Sequence, residues 1–181
     1  VDGLFQQITS DAITAPEGAK VIDAAGKILS PSMFDTHIHM REPGQEGKET
    51  IKSGTEAAIN GGVTGVVLMP NTSPAIDSAT VVQKIYDIAK RDSRIPVYTS
   101  GCITKDREGK ELAGFDGMLN LGVKMLTDDG DAVPDLALLK NAMEYASEFD
   151  CFFAMHCEIL EISGPRALNE GVVSHRLGIQ G

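Results

Sequence analysis

The residues best suited to chemistry are two histidines and an arginine that stand in one short stretch of the chain. Residues 33–39 are predicted to form a strand, whose alternation places His37, His39 and Arg41 on one face. Two imidazoles on one face are well placed to bind a zinc ion. A guanidinium two residues further along can bind a planar carboxylate through two parallel hydrogen bonds. The stretch therefore predicts a metal site beside a group that binds an acidic substrate.

Polar residues that can bind a metal or a substrate also stand at the ends of later apolar segments. They are Asn71, Asp128, Asp129 and His156. A carboxylate can bridge two zinc ions and offset their charge, and an asparagine offers donors and an acceptor to an amide or a carboxylate. Each residue type also has a structural use, because Asn and Asp-Gly are common in turns and a histidine can pack in a core. The residues alone leave both interpretations open.

Predicted strands and helices alternate along the chain from residue 33 onward. The strands are predicted at residues 33–39, 64–69, 96–101, 123–127 and 151–156, and the helices at residues 49–60, 80–91, 114–120 and 135–147. This alternation indicates parallel βαβ units, which form either an open doubly wound sheet or a (β/α)8 barrel. No glycine-rich nucleotide-binding loop follows any strand, and the polar residues fall at carboxyl ends of strands, where barrels place their active sites. The predicted fold class is α/β, a (β/α)8 TIM-type barrel with about five βα units present.

The composition argues against several kinds of partner. The formal net charge is −10, so the chain lacks the basic surface of a nucleic-acid-binding protein, although one local arginine can still bind an anionic substrate. No apolar run approaches the roughly 20 residues of a membrane span, so no membrane partner is expected. The three cysteines are an odd number without metal-type spacing, which predicts free thiols in a reducing cytoplasm.

Several short motifs resemble those of one enzyme family. Residues 37–44, His-Ile-His-Met-Arg-Glu-Pro-Gly, are similar to the H-x-H-x-R-E-P-G motif of dihydroorotases, in the amidohydrolase superfamily. The resemblance continues in Lys48-Glu49-Thr50, Met69-Pro70-Asn71-Thr72, Thr127-Asp128-Asp129-Gly130 and His156-Cys157-Glu158. It covers nearly the whole chain, and the motifs stand in the order that the family shows. Residues 31–35 depart from the family's usual P-G-F-x-D, so the turn there is expected to differ.

The resemblance implies a zinc-dependent cyclic amide hydrolase that interconverts N-carbamoyl-L-aspartate and L-dihydroorotate in pyrimidine biosynthesis. It implies two zinc ions per full-length chain and a small-molecule substrate. As protein partners it implies a second copy of the chain, in a homodimer, and association with aspartate transcarbamoylase. The implied zinc ligands are His37, His39, Asp129 and His156, and the implied substrate-binding residues are His39, Arg41 and Asn71. Another zinc histidine and the aspartate that acts as general acid and base are expected beyond Gly181.

The resemblance also implies a division of the chain into two parts. Residues 1–30, with a predicted strand at residues 20–27, are interpreted as part of a small N-terminal β-domain. Residues 31–181 are interpreted as the N-terminal portion of a metal-dependent hydrolase barrel. A complete barrel typically needs about 250 residues, so the 181 residues are expected to be a fragment without the C-terminal barrel strands.

Three alternatives stay open at this stage. Related hydantoinase-like enzymes bridge their metals with a carboxylated lysine, and Lys124 lies on the same predicted strand as the T-D-D-G motif. Asp129 is preferred as the bridge because that motif is complete. A hydantoinase or allantoinase would use the same metals on a different ring, but a carboxylate-binding Arg41 would then be wasted. An inactive dihydroorotase-like subunit that supports aspartate transcarbamoylase would not need to keep its metal ligands.

Overall fold

The chain divides into two compact units, residues 1–31 and residues 32–181. The computed structural model describes residues 4–158, 163–164 and 168–181. In the first unit, described residues 4–31 form turns without a strand or helix, so the predicted strand at residues 20–27 is wrong. Val21 and Ile22 are about three-quarters exposed, because no neighbouring strand in this unit covers them or accepts their backbone hydrogen bonds. The chain turns at Gly26, whose φ is +75°.

The second unit alternates strands and helices, which confirms the predicted order of elements. The strands are β1 (Met33–Ile38), β2 (Val63–Leu68), β3 (Val97–Thr99), β4 (Met125–Leu126) and β5 (Phe152–Phe153). The helices are α1 (Ile51–Asn60), α2 (Ala79–Asp92), α3 (Phe115–Asn120), α4 (Leu136–Ala146) and α5 (Val172–Leu177), with a 3-10 turn at Lys105–Arg107. The last three strands are shorter than predicted, since only their central residues pair with neighbours.

The strands are parallel and follow the order of the chain. β2 pairs with β1 on one side and β3 on the other, and β4 pairs with β5. A bridge between Gly101 and Leu126 links the two groups, with the Gly101 amide donating to the Met125 carbonyl at 2.9 Å. A doubly wound sheet reverses its strand order at a switch point, whereas a (β/α)8 barrel does not. The fold is therefore α/β with parallel sheets, and its strand order is compatible with part of a TIM-type barrel.

Helices α1 and α2 bury apolar faces against one side of the first sheet. α1 begins at a capping box in which the Thr50 hydroxyl accepts from the Ser53 amide and the Ser53 side chain accepts from the Thr50 amide. The apolar residues of α2 recur at helical spacing and are buried: Val81, Val82, Ile85, Ile88 and Ala89. Each large side chain buried in this way contributes about 1.5–3 kcal/mol relative to exposure. Within the described ranges, no helix has both the length and the apolar character needed to cross a membrane.

The opposite side of the strands carries aromatic side chains that are not covered. Phe34 of β1, Tyr98 of β3 and Phe152 of β5 are each about half exposed, and they line a shallow apolar depression together with Val67. The rings of Phe34 and Tyr98 lie 5.8 Å apart between centroids. The described helices thus leave this side open, while the polar residues of interest lie at the carboxyl ends of the strands.

Candidate metal centre

His37, His39 and Asp129 come together at the carboxyl ends of β1 and β4. Their potential ligand atoms all lie within 4.8 Å of one another. Oδ1 of Asp129 is 3.4 Å from Nε2 of His37 and 3.9 Å from Nε2 of His39. Two imidazole nitrogens and one carboxylate oxygen are a donor set that fits Zn²⁺. The prediction of a metal-type site from the H-x-H spacing and the T-D-D-G motif is therefore supported by the geometry.

The end of β1 places the two imidazoles side by side. Their ring centroids are 5.2 Å apart and the planes are inclined by 72°. The His37 amide donates to Oδ1 of Asp35 at 3.0 Å, and the pairing of β1 with β2 is irregular between Asp35 and Ile38. His39 follows the last paired residue of the strand, so both rings project from the edge of the sheet where a substrate can approach.

The two aspartates of the T-D-D-G motif point in different directions. Asp129 has a left-handed backbone, φ +57°, which aspartate tolerates better than most residues, and its amide donates to the Thr127 hydroxyl at 2.9 Å. The reversal turns the Asp129 carboxylate toward the histidines, where it is only 10% exposed. The Asp128 side chain instead turns inward, and Asp128 is 2% exposed.

Asp128 anchors the loop that follows β3. Its carboxylate accepts hydrogen bonds from the amides of Ile103, at 2.8 Å, and Thr104, at 3.1 Å, and from the Thr104 hydroxyl. Burial raises the pKa of Asp128 above its ordinary value, and these hydrogen bonds partly oppose that shift. The sequence offered a metal or substrate contact or a turn for this residue, but not this anchoring role, because its partners lie 24 and 25 residues away.

Replacing Asp128 by alanine is expected to destabilise the protein by about 3 kcal/mol, because two buried amides and a hydroxyl lose their acceptor. Urea unfolding of the variant and the wild type measures this difference. Asp131→Ala is the matched control, since the Asp131 side chain is 54% exposed and pairs only with Arg107 among the described residues. The control should cost less than about 1 kcal/mol. Equal midpoints for the Asp128 variant and the wild type would contradict the anchoring role.

Asn71 connects two members of the group. Its Nδ2 donates to Oδ2 of Asp129 at 2.6 Å, and its Oδ1 lies 3.0 Å from Nδ1 of His39. Because an amide oxygen only accepts, the proton of His39 is assigned to Nδ1, and Nε2 keeps the lone pair that a metal requires. Partners of this kind orient metal ligands and set their tautomer. Asn71 was predicted to bind substrate, and the structure adds this orienting contact.

Arg41 lies just after the histidines and is half-buried. The adjacent Glu42 is not its partner, because Oε2 of Glu42 accepts from the Ile51 amide at 2.9 Å, at the start of α1. Among the described residues, no carboxylate lies within 4.0 Å of the Arg41 guanidinium. Its donors are therefore not used by the described part of the protein.

Two other candidates lie apart from the group. His156 follows β5, and its Nδ1 is 3.3 Å from Oε2 of Glu158. The backbone leaves the sheet after Phe153, which is earlier than predicted, so the structure does not bring His156 to the other ligands, and its role stays a prediction. Lys124 precedes β4, at the end of the strand opposite to Asp129. Its Nζ lies 2.7 Å from Oδ2 of Asp150.

Arg107 is a residue at the site that the sequence did not indicate. Its Nη1 lies 3.9 Å from Oδ2 of Asp129 and 3.3 Å from Oδ2 of Asp131. It belongs to the charged loop after β3, at the same edge of the sheet as the histidines. Its place after the carboxyl end of a strand is the feature from which a role at the site could have been predicted. Asp106 and Arg107 both have left-handed backbones, with φ of +51° and +61°. Adjacent strained residues of this kind are commonly found at functional sites.

The fold and this group of side chains define a parallel α/β protein with a histidine–carboxylate site of the metal-binding type. Residues 26–181 match the family model described as dihydro-orotase-like, and the chain belongs to that family. It is 40% identical over 180 residues to a dihydroorotase of Syntrophus aciditrophicus, an alignment that covers 99% of this chain and 42% of that protein. It is 44% identical over 162 residues to a dihydroorotase of a Sulfurihydrogenibium species, which covers 90% of this chain and 38% of that protein.

A third relative is likewise matched over less than half of its own length. The dihydroorotase of Ruminiclostridium cellulolyticum is 40% identical over 181 residues, which is 100% of this chain and 42% of that protein. The chain thus spans about 42% of the length of the first curated relatives that it matches. The resemblance inferred from the motifs is confirmed at the level of the family.

Proposed function

We propose that this chain is part of a dihydroorotase, which interconverts N-carbamoyl-L-aspartate and L-dihydroorotate in de novo pyrimidine biosynthesis. The observation that carries the proposal is the group of His37, His39 and Asp129 at the carboxyl ends of parallel strands, in a chain of this family. The relatives named above bear the name dihydroorotase. An inactive scaffold is less well supported, because a scaffold has no need to gather metal ligands.

The metal is proposed to be zinc, held in this chain by His37, His39 and Asp129, with His156 as a further ligand. A bound zinc ion supplies Lewis acidity toward an amide carbonyl and lowers the pKa of bound water. The contribution of the chain itself is orientation. Asn71 holds Oδ2 of Asp129 and fixes the tautomer of His39, so that Nε2 faces the shared site.

Arg41 and Asn71 are proposed to hold the substrate in position for attack on the ring amide. Arg41 follows His39 by two residues, and its guanidinium has no carboxylate partner among the described residues. It is proposed to bind the carboxylate of dihydroorotate through two parallel hydrogen bonds. A hydantoin or allantoin ring lacks this carboxylate, which favours dihydroorotase over those related activities. The proton carrier is proposed to be an aspartate from a later part of the full-length protein.

Asp129 is proposed as the group that bridges the metals. Its carboxylate lies between the imidazoles and the amide of Asn71, whereas the amine of Lys124 is engaged by Asp150. A carboxylated lysine would have to leave that ion pair and lie at the opposite end of its strand. The placement of the two side chains supports the aspartate.

The remaining features of the full-length protein are proposals that rest on the family and on general physical arguments. The open aromatic side of the strands supports a closed barrel in which these residues point inward. Residues 1–30 are proposed to contribute to a small β-domain. Cys102, Cys151 and Cys157 are all free, which supports a reducing cytoplasm. A homodimer, and association with aspartate transcarbamoylase, are proposed from the resemblance alone.

The test of the proposed site is the metal content of the full-length protein. We expect two zinc ions per chain in protein purified without chelators, and a lower content after His37→Ala or His39→Ala, because each change removes one nitrogen ligand. Elemental analysis measures the content. His175→Ala is the matched control, since it removes an exposed histidine of α5 that is not part of the group. Protein that contains no zinc would contradict the proposal.

A further inference from the structure

The two carboxylate oxygens of Asp129 have different surroundings. Oδ1 faces Nε2 of His37 at 3.4 Å and Nε2 of His39 at 3.9 Å. Oδ2 faces Nδ2 of Asn71 at 2.6 Å and Nη1 of Arg107 at 3.9 Å. A cation at Oδ1 therefore meets nitrogen lone pairs, whereas a cation at Oδ2 meets an N–H donor and a positive charge. The two sides of the carboxylate are not equivalent for a metal.

The loop that carries Arg107 is held firmly in place. The Gly109 amide donates to the Thr104 hydroxyl at 2.9 Å, and that hydroxyl donates to the Asp128 carboxylate. The Asp106 amide donates to Oδ2 of Asp77 at 3.1 Å. A side chain at position 109 would collide with Pro134, since an added Cβ lies 2.9 Å from its Cδ. These contacts hold the loop backbone on both sides of the two left-handed residues, so the loop places Arg107 beside the segment that carries Asp129.

Arg107 is also the principal positive charge near an acidic segment. In the described ranges it is the one arginine or lysine within 4.0 Å of Asp129. The guanidinium is 24% exposed, so water screens its charge only in part. Its ion pair with Asp131, at 3.3 Å, offsets some of its field. The contact with Asp129 at 3.9 Å is too long for a hydrogen bond, so Arg107 acts on that carboxylate through its charge.

We propose that the full-length protein binds its two metal ions with unequal affinity, and that Arg107 weakens the position at Oδ2 of Asp129. The inference rests on the proposed function, in which Asp129 bridges two zinc ions. The tighter position is the one at Oδ1, with His37 and His39. The weaker position is reached only when a cation displaces the Asn71 donor and tolerates the nearby guanidinium.

If Arg107 instead oriented Asp129 as a ligand, its removal would weaken metal binding rather than tighten it. Loss of an outer partner that orients a ligand typically lowers metal affinity about 10- to 100-fold. Asn71 already orients Oδ2 through a hydrogen bond of 2.6 Å, so little orientation is lost with Arg107. Removal of its charge lowers the repulsion of a divalent ion, and this effect falls with distance, so it acts more on Oδ2 than on Oδ1. Repulsion is therefore the larger effect.

The experiment is a zinc titration of the full-length protein after removal of metal, with a chromophoric chelator that competes for Zn²⁺. The wild type should show two binding steps of different affinity. Arg107→Gln should tighten the weaker step about tenfold and the tighter step by less than about threefold. Arg107→Lys keeps the charge and should leave both steps near those of the wild type.

Two controls separate the site from general charge effects. Lys105→Gln removes the same unit of charge from the same loop, but Nζ of Lys105 pairs with Glu111 at 4.0 Å and not with Asp129. It should leave both steps unchanged. Asp131→Asn removes the offsetting carboxylate and should loosen the weaker step, opposite to Arg107→Gln. Circular dichroism reports whether Arg107→Gln folds. If it does not, Arg107→Met, which also removes the charge and keeps much of the stem, takes its place with the same expected result.

The outcomes distinguish this inference from the proposed function. A wild type that binds no zinc overturns the proposed metal site and the inference together. A wild type that binds two ions in equivalent steps overturns the inference alone. So does an Arg107→Gln variant whose weaker step is unchanged or looser, or an Asp131→Asn variant whose weaker step becomes tighter.

Discussion

Replacement of Asp129 by alanine in the full-length protein should abolish dihydroorotase activity. The residue is the one carboxylate in the described ranges whose oxygen is grouped with both His37 and His39. Its removal takes away the proposed metal ligand, the charge proposed to offset the metals and the acceptor of the Asn71 amide. The loss should exceed the roughly 10- to 100-fold that follows removal of an outer partner. Steady-state rates and zinc content, measured on the same preparation, should fall together.

Two further variants test whether Asp129 or Lys124 has the bridging role. Asp129→Asn keeps the size and one oxygen acceptor but removes the charge, so it should also lose most of the activity. Lys124→Ala should mainly affect packing, because its amine pairs with Asp150 on an exposed surface. An active Asp129→Ala enzyme, or a carboxyl group found on Lys124 by mass spectrometry, would transfer the bridging role to the lysine.

The architecture was predictable because its signals are local. The five apolar positions of α2 recur at helical spacing, and all of them are buried. The alternation of strands and helices implies parallel pairing, and parallel strands bring their carboxyl ends to one edge. That geometry alone predicts that residues after β1 and β4 approach each other. The structure does bring His37, His39 and Asp129 together at that edge. Their role as metal ligands stays a prediction.

The contacts that orient these ligands were not predictable in the same way. The direction of Asp129 depends on a left-handed backbone, and the burial of Asp128 depends on donors in a distant loop. Arg107 reaches the site because the loop after β3 folds back onto the segment after β4. Glu42 was a possible partner of Arg41 by sequence, and it binds the start of α1 instead. Each of these contacts joins residues whose separation in sequence carries no periodic signal.

The strand predictions that were wrong or too long share one physical cause. A strand requires a neighbour that accepts its backbone hydrogen bonds. Residues 20–27 have no such neighbour within their unit, although Val21 and Ile22 have the right character. β5 pairs with β4 only through Phe152 and Phe153, so the chain diverges before His156. Composition identified apolar segments, but it did not show how far each one would pair.

Arg41→Met should lower kcat/KM for dihydroorotate by roughly 30- to 1,000-fold and leave the zinc content unchanged. A bidentate pair with the substrate carboxylate in a partly desolvated site contributes about 2–4 kcal/mol, and each 1.4 kcal/mol corresponds to about a factor of ten. Methionine keeps much of the stem and removes the fork. Arg91→Met is the matched control, because Arg91 pairs with its neighbour Asp92 on the surface of α2. That variant should retain normal kinetics.

The Arg41 variants also decide between the two ring-opening activities. Arg41→Lys should recover only part of the rate, since a point charge cannot reproduce two parallel hydrogen bonds. Because Glu42 is occupied at the start of α1, loss of Arg41 breaks no ion pair among the described residues, and a kinetic defect reports on substrate binding. Normal turnover of dihydroorotate by Arg41→Met, or a wild-type preference for uncharged hydantoins, would replace the dihydroorotase assignment with that of a hydantoinase. The carboxylate that Arg41 is proposed to bind is present in dihydroorotate and absent from an uncharged hydantoin, so these variants discriminate between the two substrates.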